Sequence, residues 1–176
     1  MELREIAVRS VRPEEHEAVG DLCVAAYDAI GLASEHYVQT LRDTAARVAG
    51  ADVLVAVARD DGNRSPAETR WPLGTVTLIT DFGPYGEIAR AGEAEFRLLA
   101  TAPQAQGRGV GEALVRACAE RSAALGRRLL VCSSRPDMEA AHRLYRRMGF
   151  TRTPERDWSP RPDVPLVTFA LALDPA

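Results

Sequence analysis

The sequence predicts an α/β fold built on a mixed sheet. Segments with a strand pattern and segments with a helix pattern alternate along the 176 residues, without an internal repeat. Between residues 95 and 132 the order is strand, helix, strand, which predicts a right-handed crossover between two parallel strands. A glycine-rich turn, Gln106–Gly111, joins the first of these strands to the helix. We therefore expect one α/β domain over residues 1–176, organised around this turn.

The first half of the chain is predicted to hold three strands and two helices. Its strands, which either alternate apolar and polar residues or are continuously apolar, are residues 6–11, 53–58 and 73–80. The first helix follows Pro13, and a second is expected from Ser34, as its cap, to Gly50. The apolar face of the second helix would be Val38, Leu41, Ala45 and Val48. Residues 60–72 are polar and predict a long connection.

The second half continues the alternation. Its strands are residues 94–101, 128–132 and 166–173, and its first helix is residues 110–125. Side chains alternate between the two faces of a strand, so in residues 94–101 one face is predicted to carry Glu95, Arg97, Leu99 and Thr101. A last helix is expected to begin at Ser134–Asp137, with Asp137 in the capping-box position, and to end at Gly149. Residues 151–165 hold four prolines and are predicted to be irregular.

The glycine-rich turn favours phosphate binding. A helix N-terminus offers free N–H groups and a partial positive charge, and glycines allow the backbone to approach an anion closely. Arg108 adds a cation that can fork onto a phosphate. The chain contains no lysine, which excludes a Walker A loop, and the glycine spacing does not match a dinucleotide-binding fingerprint. The alternative is a plain turn with Gln106 and Arg108 in solvent.

Three linked segments carry the strongest motif signal. The turn fits the pattern Gln/Arg-x-x-Gly-x-Gly/Ala, residues Ala141–Phe150 fit A-x-x-L-Y-x-x-x-G-F, and Glu95–Pro103 fits a strand with the turn that follows it. In order and spacing they resemble the GCN5-related N-acetyltransferase (GNAT) family, over roughly a third of the chain. The family often has Asn seven residues before the Tyr of the second motif, whereas this sequence has Met138.

The resemblance implies a fold and a cofactor. The fold is a twisted, mostly antiparallel mixed sheet of six to seven strands with about four flanking helices, in which strands four and five are parallel and splayed. The cofactor is acetyl-CoA, used as co-substrate and without a metal. Its pantetheine arm would bond the main chain of Leu99 and Thr101, and its pyrophosphate would lie on the turn. The implied binding residues are Leu99, Thr101, Gln106, Gly107, Arg108, Gly109, Val110, Gly111 and Glu112.

Two side chains match the family's catalytic positions. Glu95 would take the proton from the acceptor amine, directly or through water, and Glu93 is a weaker candidate. The alternative for Glu95 is a strand carboxylate paired with Arg97 or Arg90. Tyr145 would protonate the departing thiolate, or it is an ordinary core aromatic. No Cys or Ser has a base partner recognisable in sequence, so we expect direct attack in a ternary complex.

Charge, hydrophobicity and cysteine content limit the classes of partner that we expect. A net charge of −3 gives no reason to expect nucleic acid, and no apolar run is long enough to cross a membrane. Three cysteines without metal spacing, and no signal peptide, favour the cytoplasm. The expected acceptor is a primary amine of a small molecule, peptide or protein, selected by the loops 27–37, 81–92 and 151–165, and families of this type are commonly homodimers. The competing class is a non-catalytic acyl-CoA sensor.

Overall fold

The computed structural model describes residues 6–29, 31, 35–59, 71–81 and 85–174. Ser34, predicted as a cap, and residues 60–70 of the predicted connection lie outside this part of the chain, as do residues 82–84 of the loop 81–92. The strands are β1 (Ile6–Ser10), β2 (Asp52–Ala58), β3 (Gly74–Ile79), β4 (Glu93–Thr101), β5 (Leu129–Ser134), β6 (Thr151–Arg152) and β7 (Val167–Ala172). The α-helices are α1 (His16–Asp28), α2 (Glu35–Arg42), α3 (Thr44–Gly50), α4 (Val110–Ala124) and α5 (Glu139–Arg147).

The strands form one mixed sheet in the order β1-β2-β3-β4-β5-β7-β6. Strand β2 pairs antiparallel with β1 and β3, and β7 pairs antiparallel with β5 and β6. Strands β4 and β5 are parallel, and their register covers only Glu93–Glu95 and Leu129–Val131. The predicted fold class is therefore confirmed. The short strand β6 corrects the expectation that residues 151–165 are wholly irregular, since Thr151 and Arg152 pair with Ala170 and Phe169.

The chain divides into two compact units. The first comprises Met1–Leu78 and Leu98–Ala117, and the second comprises Ile79–Arg97 and Cys118–Ala176. In the first unit, buried valines of α1 and β2 form a core cluster, namely Val19, Val53, Val55 and Val57. Each such side chain contributes about 1.5–3 kcal/mol through burial. Strand β2 is buried from its second residue onward, as its continuous apolar run predicts.

Two helices replace the single one expected up to Gly50. Asp43 ends α2 and caps α3, because its Oδ1 accepts the N–H of Ala46 at 2.9 Å. The restart changes which side chains face inward: Val48 is 41% exposed, whereas Arg47 is 1% exposed. The Arg47 guanidinium donates to the carbonyl of Leu41 at 3.1 Å, near the C-terminus of α2, where the helix carries partial negative charge. An arginine at this position gave no sequence signal of burial.

Gly74 allows close packing where α4 begins. A Cβ on this residue would lie 2.6 Å from Cγ1 of Val110 and 2.8 Å from the carbonyl oxygen of Ala100. Both distances are shorter than real Cβ contacts allow, so only glycine fits here without a shift. The first turn of α4 and the end of β4 therefore meet β3 at a position that a side chain would block.

The second unit has an aromatic core. The rings of Tyr145, Phe96, Phe150 and Phe169 pack together, with centroids 5.5–5.7 Å from Tyr145 to the other three. Strand β5 continues to Ser134, and α5 begins at Glu139, which corrects the start expected at Ser134–Asp137. Asp137 does not cap the helix, because its carboxylate binds the Arg135 guanidinium at 2.7 and 3.0 Å.

Candidate active site

The glycine-rich turn lies between the end of β4 and the start of α4, in the first unit. A short 3-10 turn, Pro103–Ala105, follows β4, and α4 begins at Val110. Gly107 has φ 71° and Gly109 has φ 82°, in the left-handed region that side chains disfavour. Nothing lies within 4 Å of the position of a Cβ on Gly107, so the requirement for glycine there is conformational.

The turn presents main chain to solvent. Gln106, Gly107 and Arg108 are exposed, Gly109, Gly111 and Glu112 are half-buried, and Val110 is buried. The N–H of Ala113 donates to the carbonyl of Gly109 at 2.9 Å and closes the first helical turn, so the N–H groups before it have no partner within the helix. The Glu112 carboxylate binds Arg116 at 2.8 Å. An anion can be held here by main-chain N–H groups and Arg108.

Strand β4 carries a local distortion before the turn. Leu98 has φ 52° and is the one residue other than glycine with positive φ in the described ranges. A leucine in this conformation is strained, and such strain often marks a functional site. Leu99 and Thr101, which follow it, are half-buried. Sequence periodicity predicted a regular strand and missed the distortion.

Glu95 is completely buried in the second unit, with 0% exposure. Its Oε2 accepts the main-chain N–H groups of Glu87, Ile88 and Ala89 at 2.9, 2.9 and 3.1 Å. Its Oε1 is also buried and has no hydrogen-bond partner in the described part of the chain. The alternative of an ion pair with Arg97 is wrong, because Arg97 binds Glu87 at 2.6 Å. This burial favours action through water over direct contact with a substrate.

Glu93, the weaker base candidate, is a structural anion. Arg156 donates to both of its oxygens, at 2.7 and 2.9 Å, and the N–H of Arg90 adds a third bond at 3.0 Å. The hydrogen bonds from Arg156 hold the pKa of Glu93 below its ordinary value, against the opposing effect of burial. A carboxylate that stays ionised so readily is a poor general base.

Tyr145 lies in the second turn of α5 with its ring in the aromatic core, and 4% of the residue is exposed. The motif that ends in Gly149-Phe150 explains this local structure, since the N–H of Phe150 returns to the carbonyl of Tyr145 at 3.0 Å. Phe150 thereby packs beside the Tyr145 ring, with centroids 5.6 Å apart. Tyr145 and Glu95 both lie in the second unit. The predicted cofactor residues lie in the first unit.

A serine–histidine contact was missed by sequence reasoning. Oγ of Ser134 lies 3.2 Å from Nε2 of His142, and both residues are buried. Burial, and then the nearby Arg146, lower the pKa of His142, which favours the neutral ring. The sequence analysis found no base partner for a serine, and this contact could not be recognised from the sequence. The two residues are eight positions apart, across the join between β5 and α5, and no motif links them.

A cavity of about 280 Å³ in the second unit is lined by Glu87 and Ala89, whose N–H groups donate to Glu95. Its charged lining residues are Asp81, Glu87, Arg90, Glu93 and Arg127. Glu87 extends from the segment that Glu95 holds, and its carboxylate also meets Arg97. Burial raises the pKa of Glu87, Arg97 opposes this rise, and the negative charge of Glu95 adds to it. The sequence analysis did not single out Glu87.

Other site chemistries find no support in the described residues. Within the described ranges, no three His, Cys, Asp or Glu side chains gather as metal ligands. The cysteines Cys23, Cys118 and Cys132 are all buried and free, and burial raises the pKa of Cys23 and Cys132. Among the helices of the described chain, none combines the length and hydrophobicity that a membrane span requires.

Comparison with known proteins defines the family. The family model described as an acetyltransferase (GNAT) domain matches residues 51–152, more than half of the chain. The chain therefore belongs to the GNAT family of acetyltransferases, as the three motifs predicted. A search of curated proteins gives no significant match.

Solved structures share the fold at low sequence identity. An acetyltransferase of the GNAT family from Staphylococcus aureus superimposes with a TM-score of 0.71 at 10% identity, over 96% of this chain and 99% of that one. The ribosomal-protein-S18-alanine N-acetyltransferase of Escherichia coli gives 0.67 at 17%, over 97% and 96%. A Salmonella typhimurium protein, solved with its cofactor acetyl-CoA, gives 0.63 at 15%, over 98% and 96%.

Proposed function

We propose that this protein, acting as one domain, transfers an acetyl group from acetyl-CoA to a primary amine of a small molecule, peptide or protein. The observation that carries the proposal is the pair of left-handed glycines, Gly107 and Gly109, directly before a helix of 15 residues. Membership of the GNAT family supports the same reading. Relatives solved with acetyl-CoA, or with CoA and a peptide, illustrate ligands of this class.

The cofactor would be held mainly by main chain. The diphosphate would lie against the main chain of the turn Gln106–Glu112, with Arg108 as the added cation. The amide-rich pantetheine arm would pair with the main chain of Leu99 and Thr101 in the manner of an added strand. The positive φ of Leu98, 52°, supports this, because it departs from regular strand geometry just before Leu99. Acetyl-CoA supplies the activated acetyl group.

Glu95 and Tyr145 are proposed for the two proton transfers. Glu95 would act on the acceptor side only through an intermediary, because its carboxylate is fully buried and three N–H groups hold one oxygen. Tyr145 would protonate the CoA thiolate as the C–S bond breaks. Its aromatic packing supports a fixed hydroxyl position, since Phe96, Phe150 and Phe169 restrict the ring.

The decisive test is release of CoA thiol from acetyl-CoA over a panel of amines that includes small amines, amino acids and peptide N-termini. We expect turnover with at least one acceptor. Tyr145→Phe keeps the ring and should lower kcat by about 10²-fold or more, with binding of acetyl-CoA unchanged. If Tyr145→Phe and Glu95→Gln both turned over as fast as the wild type, the assigned roles would be overturned.

A non-catalytic acyl-CoA sensor is the second candidate. It is favoured by Met138, which stands where the family often has Asn and which caps α5 without a side-chain hydrogen bond. A sensor would bind acetyl-CoA and release no thiol with any amine in the panel. Binding and turnover, measured on one preparation, therefore separate the two functions.

A further inference from the structure

Two arginines, Arg90 and Arg127, line the cavity of the second unit. Nη2 of Arg127 donates to Oδ1 of Asp81 at 2.7 Å. Nε of Arg127 is buried and has no hydrogen-bond partner in the described part of the chain. Arg90 is exposed, and its hydrogen bond to Glu93 comes from the main-chain N–H, at 3.0 Å, rather than from the guanidinium. These bonds leave the Nε–H of Arg127 and the guanidinium of Arg90 for another acceptor.

Asp81 is a weak partner for Arg127. Of the Asp81 side chain, 85% is exposed, and an ion pair in that much water contributes little. A guanidinium offers two neighbouring N–H groups to two oxygens of one carboxylate or phosphate, and this fork is stronger than a single bond. A small oxyanion that engaged both Nε and Nη2 of Arg127 would therefore displace Asp81.

The other two acids of the cavity wall have cations of their own. Arg156 donates to both oxygens of Glu93, at 2.7 and 2.9 Å. Arg97 pairs with Glu87 at 2.6 Å. Glu95, buried behind the wall, accepts three main-chain N–H groups. Since these carboxylates are bound from elsewhere, they oppose an anion in the cavity less than free carboxylates would.

The remaining charges of the lining favour an anion. Asp81 is opposed by two cations, Arg90 and Arg127. A third cation lies close by, since the guanidinium carbon of Arg128 would be 4.0 Å from a Cβ on Gly92, which also lines the cavity. Arg128 is only loosely paired with Glu93, at 3.9 Å, and 69% of its side chain is exposed. Positive charge therefore predominates at this part of the surface.

We propose that this cavity is a binding site for a small molecule that carries a carboxylate or phosphate group, held by Arg90 and Arg127. A volume of about 280 Å³ is at the lower end for small-molecule sites, so the ligand is compact. All the lining residues belong to the second unit, whereas the turn proposed for the coenzyme belongs to the first. The inference goes beyond the proposed function, because it requires neither acetyl-CoA nor an acceptor amine.

The test is isothermal titration with two probes, inorganic phosphate and succinate, at an ionic strength kept constant with chloride. At least one probe should bind saturably and one to one, and the tighter probe identifies the group that the site prefers. Arg127→Gln and Arg90→Gln should each weaken this binding by about tenfold or more. Arg135→Gln is the matched control, because it removes the same charge from a pair with Asp137 and should change the affinity by less than about twofold.

Asp81→Asn tests the site while keeping both arginines. Removal of the carboxylate that competes for Arg127 should tighten binding of the probe, by about threefold or more. Asp163→Asn is its control, because Asp163 pairs with Arg161 on the exposed surface, and the same change of charge there should leave the affinity unaltered. Slower hydrogen exchange at residues 86–92 in the presence of the probe would locate the bound anion at the cavity wall.

The outcomes are distinct. Absence of binding with both probes at millimolar concentration, or equal affinities of Arg127→Gln and Arg135→Gln, would overturn the inference. An affinity lost in Arg108→Gln and retained in Arg127→Gln would also overturn it, because the anion would then lie on the glycine-rich turn. A protein that binds the probe through Arg127 and does not bind acetyl-CoA would overturn the proposed function and support this inference.

Discussion

Two segments of this molecule place consecutive main-chain N–H groups side by side, and they differ in what accepts from them. In the second unit, the N–H groups of residues 87–89 converge on Oε2 of Glu95. In the first unit, the turn Gln106–Glu112 leads into α4, whose first N–H groups have no partner within the helix. The first arrangement is closed by the protein's own carboxylate, and the second is open.

The two arrangements suit different roles. In the closed arrangement the N–H groups bind a carboxylate of the protein itself, which fixes part of the wall of a cavity. An open arrangement leaves its donors to water or to a ligand, which suits a diphosphate. The two segments also differ in glycine. The open turn contains Gly107 and Gly109, which have positive φ, whereas residues 87–89 contain no glycine. The closed segment should therefore depend on internal charge, and the open turn should depend on a ligand.

The largest effect is expected at the ion pair that borders the closed segment. Arg156→Ala would leave the Glu93 carboxylate buried without its main partner, which should lower the free energy of unfolding by about 3–5 kcal/mol. Arg143→Ala is the control, because its pair with Glu139 is exposed and should change stability by less than about 1 kcal/mol. Urea unfolding of both variants measures the contrast. Equal losses would contradict the account of Glu93.

Glu95→Ala should be the next most destabilising change. Three N–H groups would lose their acceptor, and a small cavity would open, at a cost of about 3 kcal/mol in the free energy of unfolding. Hydrogen exchange should rise at the amides of residues 87–89 beyond any global change. Exchange that stays as slow as in the wild type would show that Glu95 does not hold the segment.

Acidic pH should lower the free energy of unfolding, because carboxylates that are paired in the folded state become protonated. The pKa of Glu93 is lowered from 4.5, so its ionised form stabilises the folded state above about pH 4.5, and that contribution is lost as the pH falls toward the folded pKa. Glu15, held by Arg9, and Asp157, held by Arg152, act in the same direction. Unfolding free energy measured from pH 7 to pH 3 should fall, and less steeply for Glu93→Gln. A slope unchanged by this substitution would exclude the contribution of Glu93.

The smallest stability effect should accompany the clearest effect on binding. Gly107→Ala and Gly126→Ala both place a methyl group at positive φ, 71° and 68°, with nothing within 4 Å, so each should cost about 1–2 kcal/mol of stability. Only Gly107→Ala alters the open turn, and it alone should weaken acetyl-CoA binding by about tenfold. Isothermal titration and thermal unfolding of the two variants decide this, and equal affinities would count against the turn as the binding site.

The sequence predicted best what depends on local chain geometry. The open turn was identified because its glycines, the strand before it and the helix after it are contiguous in sequence. Tyr145 was placed on its helix by the motif that ends in Gly149-Phe150. The parallel pairing of β4 with β5 followed from the handedness of crossovers.

The features that the sequence did not predict depend on contacts between residues of different elements or loops, which no local pattern records. The burial of Glu95 requires N–H groups from a segment six to eight residues earlier, and the burial of Arg47 requires carbonyl and hydroxyl groups from α2 and β3. Asp43 could have signalled the break between α2 and α3, since Asp is a preferred cap. The Ser134–His142 contact and the ion pair of Glu93 with Arg156 have no local signature at all.

We propose that the turn Gln106–Glu112 is open because it binds the diphosphate of a coenzyme. Isothermal titration of the wild-type protein with acetyl-CoA, repeated in the presence of inorganic pyrophosphate, tests this most directly. We expect saturable one-to-one binding of acetyl-CoA that pyrophosphate weakens by competition. No heat of binding with millimolar acetyl-CoA, or binding that pyrophosphate leaves unaltered, would contradict it.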